Sequence, residues 1–399
     1  MITKRILVAF AFLLVIFSSC KKEKNASSSS STNTDNCVSG QSVSVTAKSL
    51  NNIDIIDGQY IVSYNSLAVN ARSMGITKLG ELASSVLKRN NIHSKALQRN
   101  FAGEPGGFIA KLSKDEVVTL KKDISIQSIE PDRVVKLGVC FTVAAPTLIT
   151  WNVKRVGYGN GIGKRAWIID SGIDFDHPDL TVDATLSKSF LPNETSAKDE
   201  NGHGTHVAGI IGAKNNTFGV LGIASGATLV SLRVLDKDGS GTLGYIIQAL
   251  AYVNTNGKAG DVVNMSLGAD TSSQILNQQV KNTAARGIYI TIPAGNDYTS
   301  ANKFSPANAN GTNIYTVSAV DSLDNFANFS NYGNDVVDYA EPGVYVLSTY
   351  PDNRYAYMSG TSMAAPHLAG LLLLKGNNLS VSGYAKNDPD GTPDPIAHY

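Results

Sequence analysis

RAWIIDSGIDFDHPDL, residues 165–180, decides the fold. Residues Ala166, Trp167, Ile168 and Ile169 are an unbroken apolar run. That is the pattern of a strand buried on both faces, as a parallel sheet covered by helices requires. Asp170 ends the run, and Ser171 and Gly172 follow it. In open α/β sheets, sites lie beyond the carboxyl ends of the strands. A carboxylate there is placed for chemistry, although a strand-ending turn aspartate has the same local sequence.

A second stretch, YMSGTSMAAPHLAGLLLL (357–374), sets Ser362 among small residues at the head of an apolar run. Ser362 reads either as a helix N-cap or as a nucleophile to which a peptide backbone has close access. A helix N-terminus there aims backbone N–H dipoles at a developing anion. A serine nucleophile needs a histidine to take its proton and an acid to orient that histidine. Of the six histidines, His93 lies in the N-terminal part and His398 near the end. His177 sits in the turn DHPDL, and His367 falls inside the apolar run. His203 and His206 share NGHGTHVAGIIGA, where Gly202 and Gly204 clear space around His203. His206 reads as structural.

IIDSGID, HGTHVAG and GTSMAAPH together resemble the three signature motifs of the subtilisin-like serine peptidases, over about residues 145 to 375. The order Asp, His, Ser is also that of subtilisin. The resemblance implies an α/β fold, a three-layer arrangement with a mainly parallel sheet between helices. It implies that Ser362 attacks the scissile carbonyl, that His203 is general base and then general acid, and that Asp170 holds the imidazole. IPAGND puts the family's oxyanion asparagine at Asn296, with the Ser362 N–H as second donor. DGSG and NMSLGA resemble the edges that take the substrate strand, so Gly239, Ser240, Gly241, Ser266, Leu267 and Gly268 flank the substrate. Ala294 and Gly295 line the primary side-chain pocket, with room for a large apolar side chain. Pro293 departs from the small residue usual there. AKNNTFGVLGIA resembles the family's calcium loop, which assigns Asp179 and Asn216 as side-chain ligands and Lys214, Phe218 and Val220 as carbonyl ligands. No cofactor is expected for the chemistry itself.

Residues 58–137 carry a pattern of their own, distinct from the peptidase-like stretch over 145–399. QYIVSY, GFIAKL and ISIQSIEPD read as strands. Leu79, Leu82, Ala83, Val86 and Leu87 mark one helix face, and Ser113 with Glu116 spells a capping box. This small α+β unit holds no dense polar cluster. By position and pattern it resembles the family's ferredoxin-like inhibitory propeptide, an intramolecular inhibitor removed by self-cleavage, whose tail would run through RVVKLGVC or slightly beyond; the sequence does not give the cut site.

The N-terminus reads as an export leader over residues 1–20. Lys4 and Arg5 precede twelve apolar residues, too few to span a bilayer, which takes about 20. The leader ends at Cys20 in a stretch that resembles a bacterial lipoprotein signal, which implies lipidation of Cys20 and a membrane anchor on an exported protein. A Ser-rich tether fills 21–57. In an exported protein Cys37 and Cys140 either pair or stay free. A net charge of +1 over 399 residues, 17% of them charged, argues against nucleic-acid binding. A monomer is expected.

Two rival functions fit parts of the sequence. One is an α/β-hydrolase using Asp388 or Asp394 with His398, which leaves Asp170 and His203 idle. The other is a retired subtilase-fold lipoprotein that only binds. The last 24 residues, rich in Gly, Asn, Asp and Pro, read as a loop-like tail in which NDPDG is a weak cation candidate.

Overall fold

The computed structural model describes residues 43–45, 55–71, 74–136, 139–143 and 149–399. The proposed leader, Cys20, most of the tether and Cys37 lie outside them. Residues 55–136 form antiparallel strands Ile55–Tyr64, Leu97–Phe101, Gly107–Lys111 and Ile126–Lys136, with helices α1 (Ile76–Arg89) and α2 (Lys114–Leu120). Leu79, Ala83, Val86 and Leu87 are the buried face of α1. The capping box is made: Ser113 Oγ accepts the Glu116 N–H at 3.3 Å, and Glu116 Oε2 accepts the Ser113 N–H at 2.7 Å.

The run 166–169 becomes the strand Arg165–Asp170, inside a nine-stranded sheet. From edge to edge the order is Ser380–Tyr384, Pro395–His398, Val337–Pro342, Ile314–Val320, Tyr289–Pro293, Val262–Asn264, Arg165–Asp170, Thr228–Arg233 and Lys188–Ser189. Every neighbouring pair is parallel except the first. Parallel neighbours need crossovers, and the crossover helices cover both faces. These are α3 (Trp151–Val156), α4 (His203–Gly212), α5 (Leu243–Asn256), α6 (Gln274–Ala284) and α7 (Thr361–Lys375). Side chains of one strand alternate between the two cores. Ala166 and Ile168 pack with α3, α4 and α7, whereas Trp167 and Ile169 pack with α5 and α6. That alternation makes the three layers.

The loop-like tail expected at the C-terminus is not what forms. Ser380–Tyr384 and Pro395–His398 pair antiparallel, and Ile396 lies beside Ala340 on the main sheet. The local sequence hides this because Pro393 and Pro395 break any alternation. The pairing is driven by burying Ile396 and Ala397 and by the Ala397 N–H, which donates to Glu341 Oε1 at 3.1 Å.

This edge also buries a carboxyl. Asp394 accepts from Ser318 Oγ at 2.6 Å and is 4% exposed. Burial, opposed by that hydrogen bond and reinforced by Asp388, Asp390 and Asp338, pushes Asp394 up to about 7. Burial also pushes Asp338 up to about 6. A raised folded pKa stabilises below the usual 3.8, and that contribution is lost as pH climbs through about 7. The thermal midpoint of the wild type is therefore expected to fall between about pH 5 and about pH 8, and that of Asp394→Asn to stay flatter. Parallel curves for the two proteins would count against the assignment.

Candidate active site

The fold brings the three candidate residues to element ends. Asp170 is the last residue of its strand, His203 the first of α4 and Ser362 the second of α7. The glycines around His203 do clear space. A Cβ on Gly204 would lie 2.1 Å from the Gly172 carbonyl oxygen and 3.1 Å from Asp170 Cβ. Gly202 sits at φ +108°, and a Cβ there would run into the Tyr350 ring.

His203 Nδ1 is 2.8 Å and 2.9 Å from the two Asp170 oxygens, and both side chains are fully buried. That contact keeps the proton on Nδ1, which donates it to the carboxylate, and leaves Nε2 as the basic nitrogen. Nε2 is buried and has no hydrogen-bond partner among the described residues. Ser362 Oγ donates to the Ser266 carbonyl at 3.3 Å, while Ser266 Oγ donates to the Ser362 carbonyl at 2.8 Å. The Asp–His arm is thus assembled, with the serine hydroxyl resting on the Ser266 carbonyl. Catalytic hydrogen bonds of this kind tighten when substrate arrives.

Sequence reasoning missed what holds this arm in place. Asp199 accepts from Ser171 Oγ, from the N–H groups of Asn201 and Gly202, and from both N–H and Oγ1 of Thr205, all at 2.6–2.9 Å. Ser171 Oγ in turn accepts the Gly204 N–H at 2.9 Å. One carboxylate therefore caps α4 and, through Ser171, ties it to the residue after Asp170. Local capping rules did not point to it, because the N-cap position is Gly202 and Asp199 stands three residues before that.

Asn296 meets α7 where the resemblance places it. Its Oδ1 accepts both the Thr361 N–H and Thr361 Oγ1 at 2.9 Å. Thr361 Oγ1 also accepts the Gly295 N–H at 3.1 Å. With Oδ1 committed to Thr361, the NH₂ end of the amide is turned away from Thr361.

Gly239, Ser240 and Gly241 form a turn and edge closed by Asp236, whose Oδ1 accepts the Ser240 N–H at 3.0 Å. That edge is covered. Ser240, Gly241 and Thr242 pair antiparallel with Lys136, Val135 and Val134, the end of the N-terminal unit's last strand. Two carboxyls of the same strand reach helix starts. Asp132 Oδ1 accepts the Gly244 N–H at 3.1 Å, in the first turn of α5. Glu130 Oε1 accepts from Ser273, the N-cap of α6, and from the Ile275 N–H. Burial pushes Asp132 above its usual 3.8 and Glu130 above its usual 4.5, against the pull of those donors. Ser266, Leu267 and Gly268 follow the strand Val262–Asn264, and Ala294 and Gly295 follow Tyr289–Pro293. These two strands are parallel neighbours, so their loops stand side by side. Pro293 is the last residue of its strand, paired with Val317.

His206, His367 and His177 are bonded within the fold, away from the Asp170–His203 contact. His206 Nε2 lies within 3.0 Å of the Val346 and Ala356 carbonyls, and His367 Nε2 is 2.8 Å from Asn152. His177 Nε2 faces the Arg354 carbonyl at 3.2 Å. Asp394 and His398, the rival hydrolase pair, are bonded to Ser318 and the Tyr399 carbonyl at the sheet's far edge.

The residues assigned to calcium do meet, as a hydrogen-bonded knot. Asp179 Oδ1 accepts from Asn216 Nδ2 at 2.5 Å, and Oδ2 accepts from the Val220 N–H at 2.9 Å and Tyr355 OH at 3.1 Å. Asn216 Oδ1 accepts the Phe218 N–H, and Lys214 Nζ reaches the Pro178 carbonyl. Calcium wants six to eight oxygens. Here donors fill the carboxylate, so the set as arranged does not fit the ion. Among the described residues no group of three or more His, Cys, Asp or Glu is placed to hold a metal.

The profile of the Subtilase family matches residues 167–383, and that of Peptidase inhibitor I9 matches 59–138. The chain is 37% identical to M-protease of Shouchella clausii over 294 residues, 70% of this chain and 73% of that protein. It is 37% identical to Subtilisin E of Bacillus subtilis over 303 residues, 70% and 76% of the two chains. It is 39% identical to a thermostable alkaline protease of Halalkalibacterium halodurans over 266 residues, 66% and 71%. A crystal structure of a cold-adapted subtilisin-like serine proteinase superposes with a TM-score of 0.55 at 30% identity, covering 63% of this chain and 98% of that one. Its sheet, its site and these relatives place the chain in the subtilase family, as a serine peptidase that carries its own I9 inhibitor domain.

Proposed function

We propose that this subtilase is a self-maturing endopeptidase of broad specificity that works through Asp170, His203 and Ser362. The observation that carries the reading is the His203 ring. Its Nδ1 is bound to both Asp170 oxygens, and its buried Nε2 has no partner among the described residues. Nε2 takes the Ser362 proton as Oγ attacks the scissile carbonyl, then gives it to the leaving amine. Asp170 fixes the tautomer and stabilises the imidazolium. The Asn296 NH₂ and the Ser362 N–H stabilise the oxyanion, where electrostatic donors have their largest effect. The substrate strand adds to Ser240–Thr242 and Ser266–Gly268, recognised mainly through backbone.

The inhibitor domain occupies the first of those edges with Val134–Lys136, which supports inhibition by occupation of the substrate's place. Export and a lipid anchor at Cys20 rest on the leader-like N-terminus alone. The test of the catalytic reading is a fluorophosphonate probe on the full chain. It is expected to label Ser362 in the wild type and not in His203→Ala. Equal labelling of both would sink the reading, and no labelling of either would favour the retired, binding-only protein.

The Asp179 loop carries its own fasteners. A chelator is therefore expected to move the thermal midpoint by no more than about 1 °C. A calcium-restored drop of roughly 5 °C or more would return the ion to this loop.

A further inference from the structure

The loop that carries Asn296 is held in backbone conformations that resist forming on their own. Gly295 sits at φ +107° and Tyr298 at φ +49°. The second is a left-handed position for a residue with a full side chain, which persists only where the surroundings over-determine it. One residue, Asn331, binds this loop on both sides of Asn296. Asn331 is fully buried. Its Nδ2 donates to the Ala294 carbonyl at 3.0 Å, and its own N–H donates to the Gly295 carbonyl at 2.9 Å. Its Oδ1 accepts the N–H groups of Asp297 at 3.0 Å and Thr299 at 3.1 Å. Two of these bonds lie just before Asn296 and two just after it. Thr361 then fixes the Asn296 side chain by donating twice to Oδ1. The match extends to Gly295, where a Cβ would stand 2.2 Å from Asn331 Nδ2.

We propose that Asn331 is a positioning residue for the oxyanion-side amide of Asn296, setting the backbone on which that amide is carried. The proposal rests on the role assigned to Asn296 above. Oxyanion stabilisation demands donors at the place the charge will occupy, and a displacement of about 1 Å can cost ~10²-fold in rate. Asn331 touches neither substrate nor reacting atoms on this reading. Its effect passes through Asn296, so the two residues must be coupled.

The experiment measures kcat and KM on a peptide amide for the full chain, normalised to the matured band on a gel. It compares wild type, Asn331→Ala, Asn296→Ala and the double variant. Asn331→Ala is expected to lower kcat ~10- to 100-fold with KM within ~3-fold of wild type. In the Asn296→Ala background the same change is expected to alter kcat less than ~3-fold. Equal losses in both backgrounds, or no loss in either, overturn the proposal. Asn331→Asp keeps the acceptor for Asp297 and Thr299 and removes only the donor to Ala294, so a smaller kcat loss is expected. If neither variant yields a folded chain, Asn331 is a residue of the fold rather than of the site, and the proposal fails. Wild-type activity that survives Ser362→Ala would instead overturn the catalytic reading itself.

Discussion

Ser362→Ala is expected to leave the full chain uncut and to abolish casein digestion, a loss of roughly 10⁶-fold in turnover. That size is the one known for subtilisin's own nucleophile, and it is carried over from that relative. The argument from this chain is that the other parts cannot substitute. His203 Nε2 and the Asn296 amide still stand beside the bound strand, but without Oγ no acyl bond forms and only water is left to attack. Residual catalysis of about 10³–10⁴ over water is what binding and oxyanion donors retain alone. Mass over time and casein cleavage, wild type beside variant, check it. If the variant matures at the wild-type rate, Ser362 is not the nucleophile, because maturation would not depend on it.

Asp199→Ala is expected to have the largest effect on stability. Asp199 is 9% exposed and accepts from five donors: Ser171 Oγ, the N–H groups of Asn201, Gly202 and Thr205, and Thr205 Oγ1. Removing the shared acceptor leaves several buried donors unsatisfied, at about 1–3 kcal/mol each before relaxation and water relieve part of it. A net loss of about 4 kcal/mol and an apparent midpoint lower by about 10 °C follow. Activity is expected to fall further than stability explains, because the same carboxylate caps α4 at His203 and ties it to Ser171 beside Asp170. Asp199→Asn keeps one acceptor oxygen and is expected to lie between. A midpoint within about 1 °C of wild type in the alanine variant would show that the network carries no net energy.

The candidate catalytic residues were legible because each sits at a junction with a strong local pattern. Asp170 closes an apolar run, His203 stands between glycines at a helix start, and Ser362 heads a helix. The inhibitor domain's α1 and its capping box were legible for the same reason, since periodicity and capping are local. What was not legible depends on long-range partners. Asn331 lies in a polar loop and shows its role only once the chain brings it against residues 294–299. Pro395–His398 gains its place from Ala340 and Glu341, more than fifty residues earlier. The surroundings of the residues named for calcium were not legible either: they do meet, but Tyr355 and Asn216 turn donors toward Asp179, and no sequence window around Asp179 contains Tyr355.

The strand Val134–Lys136 on the edge Ser240–Thr242 has a consequence for how the enzyme is switched. While the chain is whole, that contact is intramolecular, and its effective concentration lies in the millimolar range for a short connection. On the function proposed above, once the connecting peptide is cut the same strand competes with substrates at whatever concentration its fragment reaches. The off-state then becomes a matter of dilution. An enzyme confined at a surface with its fragment stays quiet, and one that spreads into a larger volume turns on without any further signal.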